Sequence, residues 1–155
     1  MDIGSAYRMM MGPDTLKAVA AQRTAEANGA APVFIPYVPE KVDENTTPDM
    51  VEAHDYYYKD APHPNSPNKM LFTCCDRIFA YSSFDQIETL LTQPLLLIAG
   101  SKADTLMISE DAYQRAKGEK ELLVVEGGTH IDFYDKPEYV NQAVTKASGF
   151  FGKNL

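Results

Sequence analysis

The sequence has 155 residues, 45% hydrophobic and 23% charged, which suits one globular domain and excludes a disordered or collagen-like chain. Fourteen Lys and Arg face 22 Asp and Glu, a net charge of −8 that repels phosphate backbones and anionic lipid. No basic patch offsets it, so neither a nucleic-acid nor a membrane partner is expected.

Residues 1–93 read as helices and loops. No apolar run nears the ~18 residues of a membrane span. The start, Met1-Asp2-Ile3-Gly4, lacks the basic and long apolar regions of a signal peptide, so a cytoplasmic protein is expected. Asp14 to Asn28 is rich in Ala and predicts a helix, with Asp14 as cap and Gly29 as stop. Pro32, Pro36 and Pro39 then exclude a central strand and predict an extended surface segment. Thr47 and Pro48 have the order of an N-cap and a first helical residue, opening a helix to about Tyr58. Asp60 to Asn68 carries three prolines and two asparagines and predicts a loop. Helices are expected over Lys69–Ile78 and Phe84–Leu91. Cys74 and Cys75 are adjacent, which seldom suits disulfide geometry, and they read as buried thiols.

Residues 94–155 have another rhythm. Pro94–Gly100 (PLLLIAG) is a short apolar run ended by glycine, as in a strand buried on both faces of a parallel sheet. A helix is expected over Ser109–Lys117, with Ser109 as cap, acids in its first turn and Gly118 as stop. Glu121–Glu126 (ELLVVE) predicts a second buried strand, closed by Gly127-Gly128. Asp135 and Glu138 have capping-box spacing for a last helix reaching Phe151. Strand, helix, strand, helix predicts an α/β unit with parallel strands.

In such sheets catalytic groups collect beyond the carboxyl ends of the strands. Asp104 follows the first strand in Gly100-Ser101-Lys102-Ala103-Asp104-Thr105, and His130 follows the second in Gly127-Gly128-Thr129-His130. Neighbouring strands lie about 5 Å apart, so their loops can bring an acid and an imidazole into hydrogen-bonding reach. An acid on one ring nitrogen leaves the other free as a base, two thirds of a nucleophile–histidine–acid triad. The plainer alternatives are a turn acid at Asp104 and a loop histidine with a structural hydrogen bond at His130. Asp132 and Asp135 are other carboxylates near His130. No cofactor is expected: Gly127-Gly128 lacks the spacing of a phosphate loop, and His54 and His63 have no ligand partner at metal spacing. His130-Ile131-Asp132 has no evident third ligand, so no metal is expected either.

These two loops and their flanking elements resemble the last two strands of an α/β-hydrolase, nearest the dienelactone-hydrolase and prolyl-oligopeptidase-like branch. The resemblance is good over residues 80–155 and weaker over 1–79. It implies that Asp104 is the triad acid and His130 the general base. The family nucleophile lies in G-x-S-x-G at a strand–helix turn. No such motif occurs: Gly4-Ser5-Ala6-Tyr7 lacks the second glycine, Ser101 belongs to the acid turn, and the cysteines lack flanking glycines. The resemblance therefore implies the C-terminal portion of the fold, with Met1 placed near the end of its sixth strand. It implies that residues 5–93 form a helical lid whose Tyr56, Tyr57, Tyr58 and Tyr81 are substrate-pocket candidates. The alternative is that these aromatics are the lid's own core.

The expected activity is hydrolysis of an ester, thioester or amide bond in a small molecule. Without a nucleophile the chain is expected to be inactive alone. Two buried strands need neighbours, so it is also expected to need a complementing N-terminal segment or to self-associate through its sheet edge. The alternatives are one half of a split enzyme, with the nucleophile on another chain, or a non-catalytic binding module.

Overall fold

The computed structural model describes residues 3–155. The expected placement of Met1 near the end of a sixth strand lies outside the described residues. Two compact units divide at Ser83 and Phe84.

The first unit opens with α1 (Ile3–Ala27), which breaks at Gly12, where φ is 69° and ψ 172°. A side chain there would be strained, and Pro13 suits the first residue of the helical segment that follows. The helix expected from Asp14 is therefore present, but Asp14 lies inside it rather than capping it. Gly29 takes φ 94° two residues beyond its end. The proline-rich segment is extended, and its Phe34–Ile35 (β1) pairs antiparallel with Met70–Leu71 (β2). That pairing claims the start of the helix expected over 69–78. The chain instead makes a 3₁₀ turn at Phe72–Cys74 and then α3 (Cys75–Ala80). Between them, α2 (Pro48–Asp55) begins with Thr47 and Pro48 as predicted, although the Thr47 side chain makes no cap hydrogen bond.

In this unit α1 packs on α3. Val19, Val38, Ala53, Cys75 and Phe79 are buried. Arg8 donates to the Phe79 carbonyl, and Arg23 donates to the Thr73 carbonyl (2.7 Å) and to Asp76 (2.8 Å). Both cysteines are free thiols, Cys75 fully buried and Cys74 partly so; burial pushes the Cys75 thiol pKa up.

The second unit holds α4 (Ile87–Leu90), β3 (Leu95–Gly100), α5 (Leu106–Arg115), β4 (Lys120–Val125), α6 (Asp132–Asp135) and α7 (Pro137–Asn154). β3 and β4 are parallel, in register from Leu95 opposite Lys120 to Gly100 opposite Val125. Parallel neighbours need a crossover, and α5 supplies it. Both α5 and α7 pack against both strands. The strands are less buried than their composition predicts: Leu95–Ala99 are only half-buried and Val124 is 41% exposed. Among the described residues this sheet has two strands, so no further strand shields them. The small core is Ala103, Ala112, Ala116, Val125, Ile131 and Phe150.

Two helix starts differ from expectation. α5 begins at Leu106 rather than Ser109, because the turn after β3 runs straight into it: Ala103 O accepts from Leu106 N (3.0 Å) and Thr105 O from Ile108 N (2.9 Å). Ser109, Glu110 and Asp111 are consequently inside the helix. α7 is capped by Lys136, not Asp135. A residue before proline is driven out of the helical region, and Lys136, preceding Pro137, takes φ −80° and ψ 112°. Asp135 thus ends α6. Of the stretch expected as a helix over 84–91, only Ile87–Leu90 is helical. Arg115 ties it to α5, donating to Glu88 (2.5 and 3.2 Å) and to the Phe84 carbonyl (2.8 Å).

At the far end of α5, Lys120 donates to the carbonyls of Tyr113 (2.6 Å) and Ala116 (2.7 Å). This places a cation on the orphaned carbonyls of the helix C-terminus. No helix among the described residues is long and apolar enough to cross a membrane.

Candidate active site

The loops that leave β3 and β4 are laced together by backbone. Ser101 N donates to Val125 O (2.9 Å) and Lys102 N to Gly128 O (2.9 Å). Gly127 N donates to the Ser101 hydroxyl (2.8 Å). Gly100 and Gly128 approach so closely that a Cβ on Gly100 would stand 2.0 Å from the Gly128 carbonyl oxygen. Ser101 thus holds the acid turn against the histidine turn, which is a structural use of its hydroxyl.

The lacing carries His130 to the other loop. Its Nδ1 lies 3.2 Å from the Thr105 hydroxyl, next in sequence to Asp104. Asp104 and His130 are both exposed, at the carboxyl ends of adjacent strands as expected. The Nε2 of His130 lies 3.0 Å from the Tyr134 hydroxyl, and the two rings meet edge to face at 5.5 Å.

Asp132 is the buried carboxylate of the region, 3% exposed. Thr129 N donates to Asp132 Oδ2 (2.9 Å) and Asp132 N to the Thr129 hydroxyl (3.2 Å). That is the reciprocal arrangement of a capping box, and it encloses His130 and Ile131. The ammonium of Lys136 pairs with Oδ1. Asp132 is therefore a brace for the histidine turn; no group of three or more metal-ligating side chains occurs among the described residues. Burial pushes its carboxyl pKa up, but Lys136 and the Thr129 donors together outweigh it, so the pKa lies below the usual value of 3.8.

A depressed carboxyl pKa stabilises the fold above the unfolded-state value and stops doing so as pH falls through the folded one. The wild-type protein is thus expected to be more stable than Asp132→Asn near neutral pH, with the gap closing as pH drops below 3.8. Urea midpoints of both proteins across that range check this. A gap unchanged at low pH would remove Asp132 as the cause.

The tyrosines expected in the lid lie in the first unit. Tyr56, Tyr57 and Tyr58 belong to a π-helical turn (Tyr56–Asp60) that continues α2. Tyr57 packs edge to face on Tyr56 (5.2 Å) and Tyr37 (6.4 Å), and Tyr58 lies over His54 (5.0 Å). Asn68 donates to the Tyr58 hydroxyl (2.6 Å) and bonds the Val38 backbone through both its amide atoms. Within their unit these rings hold loop to helix. Tyr81, just past α3, is 55% exposed. His54 is bonded to Asp55 (2.9 Å), which also accepts from Lys59 (2.6 Å), and His63 accepts from the Asn65 amide (3.1 Å).

Thr105 and Tyr134 are site residues that the sequence reading did not single out, and Asp132 was named there only as a carboxylate near His130, not as the partner of Thr129. The T-x-x-D pattern and the spacing of four between His130 and Tyr134 were the available signals.

A parallel β3–α5–β4 unit with an acid turn and a histidine turn at the strand ends is part of an α/β-hydrolase fold. Solved structures bear this out. The α/β hydrolase GrgF from Penicillium sp. sh18 superposes on the whole chain with TM-score 0.74 at 14% identity, over 53% of its own length. DcsB, solved with its substrate analogue, matches 92% of the chain and 50% of its own at TM-score 0.74 and 15% identity. The hypothetical protein PA2218 from Pseudomonas aeruginosa gives TM-score 0.80 at 30% identity, over 92% of this chain and 44% of its own. In sequence, the uncharacterized protein YcjY of Escherichia coli is 30% identical over 135 residues, 86% of this chain and 44% of YcjY. The chain thus spans less than half the length of the curated relatives it matches. No protein-family model matches it.

Proposed function

We propose that this chain supplies the acid and the histidine of a hydrolase for ester, thioester or amide bonds, within the dienelactone-hydrolase and prolyl-oligopeptidase-like branch. The supporting observation is the hydrogen bond between His130 and Thr105, beside Asp104, at the ends of paired parallel strands. In this reading a serine or cysteine on polypeptide outside this sequence attacks the carbonyl carbon. His130 takes the nucleophile's proton at Nε2 and later gives it to the leaving group. Asp104 supplies the negative charge that stabilises the imidazolium. The greater length of the relatives leaves room for a nucleophile and an oxyanion hole on the same polypeptide.

The test is labelling of the full polypeptide that contains this chain, with a fluorophosphonate for serine and an iodoacetamide for cysteine, followed by peptide mapping. One labelled residue outside these 155, with labelling suppressed by His130→Ala, is the expected result. No activated nucleophile in any assembled form would overturn the hydrolase reading and leave a binding module.

A further inference from the structure

We propose that Tyr134 is a positioning residue for His130: its phenol keeps Nε2 unprotonated and in place until the nucleophile's own hydroxyl or thiol displaces it. The inference rests on the reading of His130 as general base.

Both nitrogens of the ring are engaged, Nδ1 by the Thr105 hydroxyl at 3.2 Å and Nε2 by the Tyr134 hydroxyl at 3.0 Å. A neutral imidazole carries one N–H, so one nitrogen donates and the other accepts. The two hydroxyls can each do either, but they are unequal. A phenol, with an ordinary pKa of about 10, is much the stronger donor and the poorer acceptor. The better assignment has Tyr134 donating to Nε2 and Nδ1–H donating to Thr105. That tautomer leaves the Nε2 lone pair available, as a general base requires.

The phenol is well placed for this. Tyr134 lies four residues beyond His130, on the short α6, and the Thr129–Asp132 brace fixes the backbone between them. Their edge-to-face rings, 75° apart, set the direction of the hydroxyl. When the nucleophile enters, its O–H or S–H replaces the phenol O–H at Nε2. One hydrogen bond is exchanged for another, and no proton passes to or from Tyr134. Asp104 contributes negative charge on the Thr105 side of the ring, and Tyr134 holds the opposite nitrogen.

Long-range ¹⁵N–¹H correlation spectra of the chain, at a pH where imidazole is neutral (about 8), test the assignment. The wild-type protein is expected to hold His130 in the Nδ1–H form. Tyr134→Phe keeps the ring and removes the donor, and is expected to move the ratio of tautomers toward Nε2–H by about two- to tenfold, the effect of one net hydrogen bond. Thr105→Val removes the acceptor of Nδ1–H and is expected to shift the ratio the same way. Backbone amide spectra confirm that each variant is folded. An Nε2–H wild type, or a ratio unchanged in Tyr134→Phe, would overturn the proposal. These spectra need no turnover. A failed labelling experiment with the Nδ1–H form intact sinks the hydrolase reading and leaves the Tyr134 hydrogen bond with no catalytic use, whereas a wrong tautomer sinks only the role of Tyr134.

Discussion

Alanine in place of His130 is expected to lower kcat/KM by roughly four orders of magnitude or more in the full polypeptide that carries the nucleophile. In the proposed mechanism the imidazole is both the base for the attacking group and the acid for the leaving group, and no neighbouring side chain replaces it. Tyr134 is too weak a base, and Asp132 is occupied by Thr129 and Lys136. Because His130 is exposed, its removal leaves no cavity, and folding stability should change by less than about 0.5 kcal/mol. Activity and thermal melting measured together separate the two effects. Activity within tenfold of wild type in the alanine variant would reject His130 as the base. Asp104→Asn is expected to reduce the rate less, since Thr105 still engages the ring.

Gly100→Ala should have the largest effect on stability of any single methyl addition in the second unit. The new Cβ would stand 2.0 Å from the Gly128 oxygen and 2.4 Å from its carbonyl carbon, and neither is the end of a flexible side chain. Relief requires the two loops to separate, which breaks the Lys102–Gly128 and Ser101–Val125 hydrogen bonds. A cost of about 3 kcal/mol or more follows. Thermal denaturation should fall by about 6–12 °C for a protein of this size. The variant should also lose the His130–Thr105 hydrogen bond, so His130 chemical shifts should change even where the protein remains folded. A Tm within 2 °C of wild type would show that the loops yield without cost.

The strands were legible because their signal is local. An apolar run ended by glycine predicts Pro94–Gly100 and Glu121–Glu126, and the strands are Leu95–Gly100 and Lys120–Val125. Alternation with helices implied a parallel sheet, and a parallel sheet implied where Asp104 and His130 would stand. What sits on His130 was not legible. Thr105 and Tyr134 reach it through loop geometry that depends on the close approach of Gly100 and Gly128, a tertiary matter. Met70 and Leu71 likewise left their expected helix for a partner more than thirty residues away. The misplaced cap at Asp135 is a different kind of error. Pro137 drives Lys136 out of the helical region, and that constraint outranks the Asp–Glu spacing.

Lys120 sets how this fold tolerates insertion. One side chain, rooted in the first residue of β4, holds the last carbonyls of α5 four and seven residues earlier. The connection between helix and strand therefore has a fixed length: an extra residue anywhere in 117–119 would rotate the lysine off the helix end or shift β4 against β3. A peptide tag or a fluorescent label spliced there should be poorly accepted. The exposed turn at Asp43–Asn45, closed on itself by Thr46, has no such tether and is the better place to open the chain.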